Sequence, residues 1–448
     1  MHLEQEFEVN SEDLFKMDRE HVVYSWHSQK DVKPIIMDKA DRIYMWDTDG
    51  KRYIDFCSGL LNVNIGHNNE HVKEAMRKQM EKFCYVGTMF GSEAKAKLSK
   101  MISEVTPGDL DYVFYTNGGA EAVENAIKTA RAYTGRHKIY SRWRSYHGAT
   151  AGAISITGDP RRWSQEPGMA GAVKYFGPYP YNCPFGSETA EESGRKALEM
   201  LTTQIMLDGP HTVAAIFMEP IVGTNGIIIP PTSYVKGVRA LCDKYGILLV
   251  ADETMSGWGR SGKWFCMEHF GVVPDIITTA KGVTSGYVPL GCMIWSKKIW
   301  EYFWNNPFSG GLTYGGHALG CASGIANIEV YKQDNLIENS EKLGLYLEKK
   351  LLELKEKHPS IGDVRVKGLW ACVELTKDRE TKAPLAGFNN SIQNVAGPLM
   401  KILYENGLHT FCKWDFIFIS PPLCITAEEI DESLDILDIG LNYTDSLL

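Results

Sequence analysis

Two charged residues follow apolar runs, at positions where a buried charge is unusual. Lys281 comes shortly after Ile276–Thr279, and Asp252 comes directly after the run at 247–251. An isolated ammonium group is costly to bury. Burial lowers the pKa of such a lysine and makes its amine a nucleophile for Schiff-base chemistry. The competing interpretation is a lysine at a strand end whose side chain reaches solvent.

Asp252 needs a positive partner if it is buried at the end of its apolar run. A protonated ring nitrogen would serve, through a charge-assisted hydrogen bond about twice as strong as a neutral one. A ring that is kept protonated in this way acts as an electron sink. The competing interpretation is that Asp252 caps the helix that follows it.

Three turns carry further candidate groups. The turn at 118–120 (Gly-Gly-Ala) opens a helix directly after a strand, and small residues there let backbone N–H groups approach a phosphate. Tyr146 has a ring that can stack on another flat ring, and Thr313 offers a hydroxyl beside two glycines. Each has an ordinary alternative: a tight strand–helix turn, a buried tyrosine and a plain turn.

These residues need a scaffold that brings distant turns together. Apolar runs alternate with helical patterns in the middle of the chain, which favours a mostly parallel α/β sheet. The runs are 111–115, Val213–Met218, 247–251 and Ile276–Thr279. Ligands bind beyond the carboxyl ends of such strands. We therefore expect Glu219, Asp252 and Lys281 to converge on one crevice with the turn at 118–120.

The pattern changes from about Tyr331 onward. A charged helical stretch at 341–358 is followed by short strand patterns at 361–367, 369–375 and 416–420, which predict a smaller α+β domain. Near the start of the chain, 44–47 and 53–56 flank a turn typical of a hairpin. We predict an N-terminal segment (1–60) that packs with the small domain, a large domain (61–330) and a C-terminal small domain (331–448).

Composition narrows the class of protein. The 448 residues carry a formal net charge of −9, which gives no general electrostatic help in binding nucleic acid or anionic membranes. The ten cysteines form no CxxC pair and no cluster with zinc spacing, as expected for reduced thiols. There is no signal-peptide pattern, and no run approaches the roughly 18 apolar residues of a membrane span. We therefore expect a cytoplasmic protein with no metal.

The ordered set of motifs resembles the class III aminotransferases, which are pyridoxal-phosphate enzymes of fold type I. The matching stretches are TNGGAEAVENAIKTAR (116–131), SYHG (145–148), MEPIVG (218–223), ADETMSGWGRSGKWF (251–265), TTAKGVTSGYVPLG (278–291) and TYGGHALGCAS (313–323). The resemblance implies a large domain with a mostly parallel sheet, a smaller α+β domain, and pyridoxal 5′-phosphate as cofactor.

The resemblance also implies residue roles. Lys281 would form the Schiff base, Asp252 would pair with the ring nitrogen, and Thr313 would reach the phosphate of the neighbouring subunit in a homodimer with shared active sites. The other implied cofactor-binding residues are Gly118, Gly119, Ala120, Tyr146, His147, Glu219 and Thr254. The family often has Ser-Gly-Ser/Thr at 118–120, so a hydroxyl contact is lost here. It also often has Val where this chain has Thr254.

Three residues are candidates for binding the substrate. Lys413 stands where relatives similar to taurine aminotransferases carry an arginine, and it offers a point charge in place of a bidentate fork. Arg144 is the second candidate anion binder, and Trp26 matches an aromatic position that lines the family's substrate pocket. The competing interpretations are solvated surface charges for Lys413 and Arg144, and a core tryptophan for Trp26.

The implied reaction transfers an amino group from a small donor to a keto acid. The resemblance favours an ω-amino acid donor, with taurine first and 2-oxoglutarate ahead of pyruvate as acceptor; 4-aminobutyrate and β-alanine are the alternative donors. Within the same fold, glutamate-1-semialdehyde aminomutase and dialkylglycine decarboxylase activities remain open. A non-catalytic binding protein and a nicotinamide-dependent dehydrogenase are less consistent with Lys281, Asp252 and the missing GxGxxG motif.

Overall fold

Three β-sheets organise the computed structural model, which describes residues 10–389 and 395–448. The strands are β1 (Met37–Asp41), β2 (Tyr44–Asp47), β3 (Arg52–Asp55), β4 (Leu110–Thr116), β5 (Lys138–Arg142), β6 (Ala172–Tyr175), β7 (Val213–Met218), β8 (Leu248–Asp252), β9 (Ile276–Thr279), β10 (Gly291–Ser296), β11 (Ile361–Val366), β12 (Ala371–Asp378), β13 (Ala383–Pro384), β14 (Leu408–His409), β15 (Phe411–Lys413) and β16 (Phe416–Ile419). In the described residues the largest sheet has the order β4-β10-β9-β8-β7-β5-β6.

The largest sheet is parallel except for β10. The pairs from β6 to β9 all run parallel, whereas β10 lies antiparallel between β4 and β9. Strands β7, β8 and β9 are buried along their whole length. Continuous apolar runs of this kind are typical of parallel strands that are covered on both faces. The predicted α/β fold with a mostly parallel sheet is therefore confirmed.

Helices cover the sheets and connect the strands. The helices are α1 (Ser11–His21), α2 (Ser58–Leu61), α3 (Glu70–Lys82), α4 (Glu93–Ser103), α5 (Gly119–Thr134), α6 (Ala151–Ile156), α7 (Ala190–Asp208), α8 (Thr232–Tyr245), α9 (Lys297–Asn305), α10 (Ala318–Gln333), α11 (Leu336–Lys357), α12 (Ala396–Glu405) and α13 (Ala427–Asp445). No helix in residues 10–389 and 395–448 has the length and apolar composition needed to cross a membrane.

Helix α5 shows how the sequence sets an element beside the cavity described below. Its buried face includes Val123, Ala126, Ile127 and Ala130, which recur at helical spacing and pack against strands of the sheet. The helix ends at Gly135, whose φ of 68° is the left-handed conformation that glycine adopts at little steric cost. The result is a rigid helix whose N-terminus meets the carboxyl end of β4.

Two smaller sheets lie outside the large one. Strands β1, β2, β3 and β14 form one, and β11, β12, β16 and β15 form the other, with β13 beside β12. Strand β14 pairs in parallel with β3, with Leu408 opposite Ile54. This pairing joins the N-terminal segment to the C-terminal part of the chain. The division at residues 60 and 330 stays a prediction.

Several predicted boundaries differ from the structure by a few residues. Strand β8 begins one residue later than 247 and includes Asp252, and helix α11 begins at Leu336 rather than 341. The strand predicted at 369–375 is β12, which is shifted towards its C-terminus. Strands β5, β6 and β10 of the largest sheet were not predicted, and nothing in the apolar sequence of β10 indicates its antiparallel direction.

Candidate active site

One cavity of about 530 Å³ lies at the carboxyl ends of β7, β8 and β9. The predicted site residues that line it are Gly118, Gly119, Ala120, Tyr146, His147, Glu219, Asp252, Thr254 and Lys281. The expected convergence of Glu219, Asp252 and Lys281 with the turn at 118–120 is therefore observed. Its cause is the one given for α/β sheets: the turns after parallel strands meet at one edge.

Lys281 lies two residues after β9, in a strained backbone conformation. Its φ is 48°, in the left-handed region that side-chain-bearing residues rarely adopt. Burial lowers the pKa of its ammonium to about 8, although the charges of Asp252 and Glu219 partly oppose this shift. A neutral amine is thus available near physiological pH, as a nucleophile or a proton acceptor.

Asp252 is the last residue of β8, and both of its carboxylate oxygens are held. Oδ1 accepts a hydrogen bond of 3.1 Å from the backbone N–H of Thr254, and Oδ2 lies 2.8 Å from Nδ1 of His147. Nε2 of His147 is buried and has no partner among the described residues. The carboxylate is therefore fixed in direction and can present a negative charge to a cation in the cavity.

The N-terminus of α5 faces the same cavity. Gly118 precedes the helix, and in the described residues no side chain caps it. A Cβ on Gly119 would lie 2.9 Å from Oγ1 of Thr254, and this buried hydroxyl has no partner in the described chain. Unpaired N–H groups, the helix dipole and a free hydroxyl make this corner suitable for an anion such as phosphate.

Small residues are required where the turn after β5 meets α5. Gly148 has a φ of +132°, and a Cβ there would lie 2.5 Å from Cβ of Ala120. Ala120 is thus packed directly against the backbone of Gly148. This contact holds the segment that carries Tyr146 against the N-terminus of α5.

Glu219 follows β7 and binds backbone groups. Its Oε1 accepts a hydrogen bond of 3.0 Å from the N–H of Tyr146, and its Oε2 accepts one of 2.7 Å from the N–H of Gly223. Burial raises the pKa of Glu219, and the charge of Asp252 adds to this shift. Glu219 therefore positions Tyr146 as well as lining the cavity.

A cation that was not predicted lies at Tyr146. The guanidinium carbon of Arg161 is 3.5 Å from the centroid of the Tyr146 ring, a close cation–π contact. Arg161 also donates to the buried carboxylate of Asp159, with Nε 2.9 Å from Oδ2, and to the hydroxyl of Thr224 at 2.9 Å. Among the described residues, none accepts a hydrogen bond from Nη1 of Arg161.

Lys413 is not a free cation. Its Nζ lies 3.2 Å from Oδ2 of Asp159, 3.0 Å from Oδ1 of Asn225 and 3.3 Å from the carbonyl oxygen of Thr224. Burial lowers the pKa of Lys413 to about 8, and the charge of Asp159 partly opposes this shift. The three donor directions of the ammonium are all in use. Lys413 therefore has no N–H group left to donate to the acid group of a substrate, as the predicted direct contact would require.

The remaining predicted site residues, Arg144, Trp26 and Thr313, do not line the cavity. Arg144 has its guanidinium carbon 5.0 Å from the ring centroid of Tyr179. Trp26 is 58% exposed, and its ring centroid lies 5.9 Å from the guanidinium carbon of Arg161. Thr313 is exposed, and its carbonyl oxygen accepts a hydrogen bond from Tyr85. Their assigned roles stay predictions.

One sequence signal could have found Arg161. The stretch Asp-Pro-Arg-Arg-Trp at 159–163 places an acid, a proline and two cations before an aromatic residue, a pattern that favours a local turn with a paired guanidinium. Asp159 indeed caps the turn through the N–H of Arg161 at 2.9 Å. The contact with Tyr146 depends on the fold, and no local pattern predicts it.

The assembled groups define what the cavity can hold. It offers an amine with a lowered pKa, a fixed carboxylate, an aromatic ring and an anion-binding corner. This set suits a flat, phosphorylated ring with a protonated nitrogen and a carbonyl group that an amine can attack.

Comparison with known proteins gives consistent matches over nearly the whole chain. The family model for aminotransferase class-III matches residues 25–440. The taurine–pyruvate aminotransferase of Bilophila wadsworthia is 35% identical over 435 residues, covering 94% of this chain and 95% of that protein. A leucine/methionine racemase of Thermococcus litoralis is 38% identical over 413 residues, covering 90% of each.

A solved structure is also similar. The structure of taurine:2-oxoglutarate aminotransferase from Bifidobacterium kashiwanohense, in complex with PLP and glutamate, has a TM-score of 0.95 and 41% sequence identity. The match covers 98% of this chain and 99% of that one. An (S)-enantioselective omega-transaminase from Thermomicrobium roseum matches with a TM-score of 0.92 and 36% identity, over 97% and 99% of the two chains.

Proposed function

The chain belongs to the class III aminotransferases, and from this premise we propose that it moves the amino group of an ω-amino acid, with taurine as the leading candidate, to 2-oxoglutarate. Its cofactor is pyridoxal 5′-phosphate, and it is a pyridoxal-phosphate-dependent aminotransferase. The observation that carries the choice of a donor with a distal acid group is the guanidinium of Arg161, stacked on Tyr146 beside the cavity. Taurine comes first among such donors because similar proteins are named for it.

The cavity residues fit the cofactor group by group. Asp252 would accept a hydrogen bond from the protonated ring nitrogen, and the N–H groups of Gly119 and Ala120 would bind the phosphate. Tyr146 would stack on the ring. The hydroxyl of Thr254, which is close to Gly119 and has no partner in the described residues, would supply a donor to the phosphate, since positions 118–120 carry no hydroxyl.

Lys281 is the residue we propose for the covalent link and for proton transfer. When bound, the cofactor supplies an electron sink for the bonds of the carbon that carries the nitrogen. Lys281 takes the proton from that carbon, because its buried amine has a pKa lowered to about 8. Asp252 keeps the electron sink effective by holding the ring nitrogen in its protonated form.

Arg161 is the residue we propose for the acid end of the donor. Nη1 donates to no protein group among the described residues, whereas Nε and Nη2 both donate to the carboxylate of Asp159. An anchored guanidinium with a free edge is suited to a sulfonate or carboxylate. Lys413 then serves as a buried counter-ion of the Asp159 carboxylate. It would act on the substrate only indirectly, through Asp159 and Arg161.

A panel of donors and acceptors tests this proposal. Purified enzyme loaded with cofactor is incubated with taurine, 4-aminobutyrate or β-alanine, each with 2-oxoglutarate or pyruvate, and glutamate or alanine is measured. We expect taurine with 2-oxoglutarate to give the highest kcat/KM. If taurine yields neither product while 4-aminobutyrate or β-alanine does, the donor is wrong; if only alanine forms, the acceptor is wrong.

A second candidate activity follows from the racemase relative. That protein is 38% identical to this chain over 413 residues. Racemisation needs the same proton abstraction by Lys281 but no acceptor. Incubation of L-leucine or L-methionine without a keto acid, followed by chiral analysis, separates the two activities. The free guanidinium of Arg161 favours transamination of a donor with a distal acid group.

We also propose that the active form is a homodimer. Large apolar side chains are exposed next to Thr313 and shortly after Tyr85 in the chain: Tyr314 is 57% exposed, Met89 87% and Phe90 62%. The ring of Tyr85 packs against that of Tyr314 and its hydroxyl donates to the carbonyl of Thr313, so the segment after Tyr85 starts from the surface that carries Thr313. Exposed apolar side chains grouped in this way mark protein–protein contacts, and in a homodimer such a contact would bring Thr313 to a partner subunit's cavity.

A further inference from the structure

Two side chains of α10 bind the backbone directly after Lys281. Nδ2 of Asn327 donates to the carbonyl oxygens of Gly282 and Val283, at 2.8 Å and 3.0 Å. The hydroxyl of Tyr331, one helical turn further on, donates to the same Gly282 carbonyl at 3.0 Å. Asn327 and Tyr331 are both fully buried, so water does not compete for these bonds.

The carbonyl of Gly282 is the point at which the Lys281 conformation can be fixed. The φ of Lys281 is 48°, which a lysine adopts only when the surrounding structure enforces it. Rotation of Lys281 to the right-handed region would turn the following peptide group and carry the Gly282 carbonyl away from its two donors. The double hydrogen bond therefore opposes relaxation of Lys281.

Close packing around Gly282 also restricts the peptide group that follows Lys281. A Cβ on Gly282 would lie 2.6 Å from Nδ2 of Asn64 and 2.6 Å from Cβ of Trp258. Trp258 is itself fixed, because its Nε1 donates to Oγ1 of Thr279 at 2.8 Å. Gly282 is thus enclosed on one side by Asn64 and Trp258 and held on the other by Asn327 and Tyr331.

We propose that Asn327 and Tyr331 are positioning residues for Lys281: by holding the Gly282 carbonyl they keep Lys281 in its left-handed conformation, with its amine directed into the cavity beside Asp252. The inference rests on the proposed function of Lys281 as the residue that bonds to the cofactor. Neither Asn327 nor Tyr331 lines the cavity, so neither touches substrate or cofactor.

The test separates the position of the amine from the shape of the cavity. Pyridoxal phosphate must bond to Lys281, whereas pyridoxamine phosphate has no carbonyl group and binds without that bond. The full-length chain, freed of cofactor, is mixed with each compound. Covalent attachment of pyridoxal phosphate is followed by absorbance, and the Kd of pyridoxamine phosphate is measured by fluorescence quenching.

Tyr331→Phe and Asn327→Leu remove the donors with little change in volume. We expect each variant to attach pyridoxal phosphate about 10-fold more slowly and the double variant about 100-fold more slowly, because a displaced amine is a poor nucleophile. The Kd of pyridoxamine phosphate should stay within about 2-fold of the parent value. In steady state, kcat should fall more than KM changes.

Ser323→Ala is the matched control, since Ser323 is a buried residue of the same helix whose hydroxyl has no partner in the described chain. It should leave both measurements unchanged. The inference is overturned if Tyr331→Phe and Asn327→Leu attach pyridoxal phosphate at the parent rate, or if attachment and pyridoxamine phosphate affinity fall together. If Asn327→Leu does not fold, Tyr331→Phe alone decides.

Failure of the proposed function gives a different result. Borohydride reduction of the parent enzyme fixes the cofactor to the lysine that carries it, and peptide mapping identifies that lysine. A cofactor fixed elsewhere than Lys281 refutes the role of Lys281. A cofactor fixed at Lys281, with unchanged attachment rates in both variants, refutes only the role of Asn327 and Tyr331.

Discussion

At the scale of single residues, Asp159 pairs with two cations that have different roles. Arg161 and Lys413 both lie on the carboxylate of Asp159, whose side chain is fully buried. Burial alone would raise the pKa of Asp159, but the hydrogen bond from Arg161 and the charge of Lys413 lower it. Asp159 is therefore a fixed anion that orients both cations, and only Arg161 has a free edge.

Replacing Arg161 tests this assignment. We expect Arg161→Leu to lower kcat/KM for taurine about 10- to 100-fold, because a charged hydrogen bond of about 1.5–3 kcal/mol is lost. The kcat/KM for a monoamine donor that has no acid group should fall much less. The measurement is therefore the ratio of the kcat/KM values for the two donors. Arg162→Leu is the control, since Arg162 pairs with Glu166 and stacks on Trp143 instead. Equal losses for both donors in Arg161→Leu would contradict the assignment.

The hydroxyl of Thr254 gives a second residue-scale prediction. Thr254→Val keeps the shape and removes a buried hydroxyl that has no protein partner in the described residues. The chain without cofactor should be as stable as the parent or more stable, while the Kd of pyridoxal phosphate should rise about 3- to 10-fold. Thr254→Ser keeps the hydroxyl and should bind nearly as the parent does. A Kd that is unchanged in Thr254→Val would show that the hydroxyl donates to nothing in the cofactor.

At the scale of elements, α11 and α13 are joined by a buried histidine. Nε2 of His358 lies 2.8 Å from Oδ1 of Asp438, and its Nδ1 lies 2.7 Å from Oδ2 of Asp445. Burial raises the pKa of each aspartate, but hydrogen bonds outweigh it, from Lys357 and His358 at Asp438 and from Ser360 and His358 at Asp445. The folded-state pKa of both carboxyls is therefore lowered.

His358→Gln should lower the free energy of unfolding by about 1–3 kcal/mol at neutral pH, since two hydrogen bonds to carboxylates are weakened. Lys357→Gln, which removes an exposed partner of the same Asp438, should cost about 0–1 kcal/mol. The stabilisation from lowered carboxyl pKa values is complete above about pH 4 and is lost as the pH falls through those values. Chemical unfolding at several pH values would contradict the pairing if the gap between parent and His358→Gln did not narrow in acid.

The elements that sequence reasoning found are those with a strong local pattern. Strands β7 and β9 were predicted with their observed bounds, because each is a short apolar run that ends at a polar residue. Strand β10 was not predicted, and its antiparallel direction depends on where the chain returns to the sheet, which no local pattern gives. Arg161 was not predicted as a site residue for a related reason: its contact with the ring of Tyr146 depends on the fold and on no local pattern.

At the scale of the whole molecule, the exposed apolar surface around Met89 predicts an assembly. We expect the parent to elute and scatter light as a dimer at micromolar concentration. Met89→Glu should raise the dimer Kd by about 10-fold or more, because a buried unpaired charge is costly, and activity should fall with dilution. Met206→Glu is the control, since Met206 is 51% exposed on α7. A parent that remains monomeric while fully active would refute the shared site.

The pairing of Lys413 with Asp159 has a calorimetric consequence. With a pKa lowered to about 8, Lys413 is only partly charged in mildly alkaline buffer. An anionic substrate bound at Arg161 adds a negative charge nearby and favours the ammonium form of Lys413. Binding then takes up a fraction of a proton from the medium, so the measured heat depends on the ionisation enthalpy of the buffer, and substrate affinity falls as the pH rises through about 8.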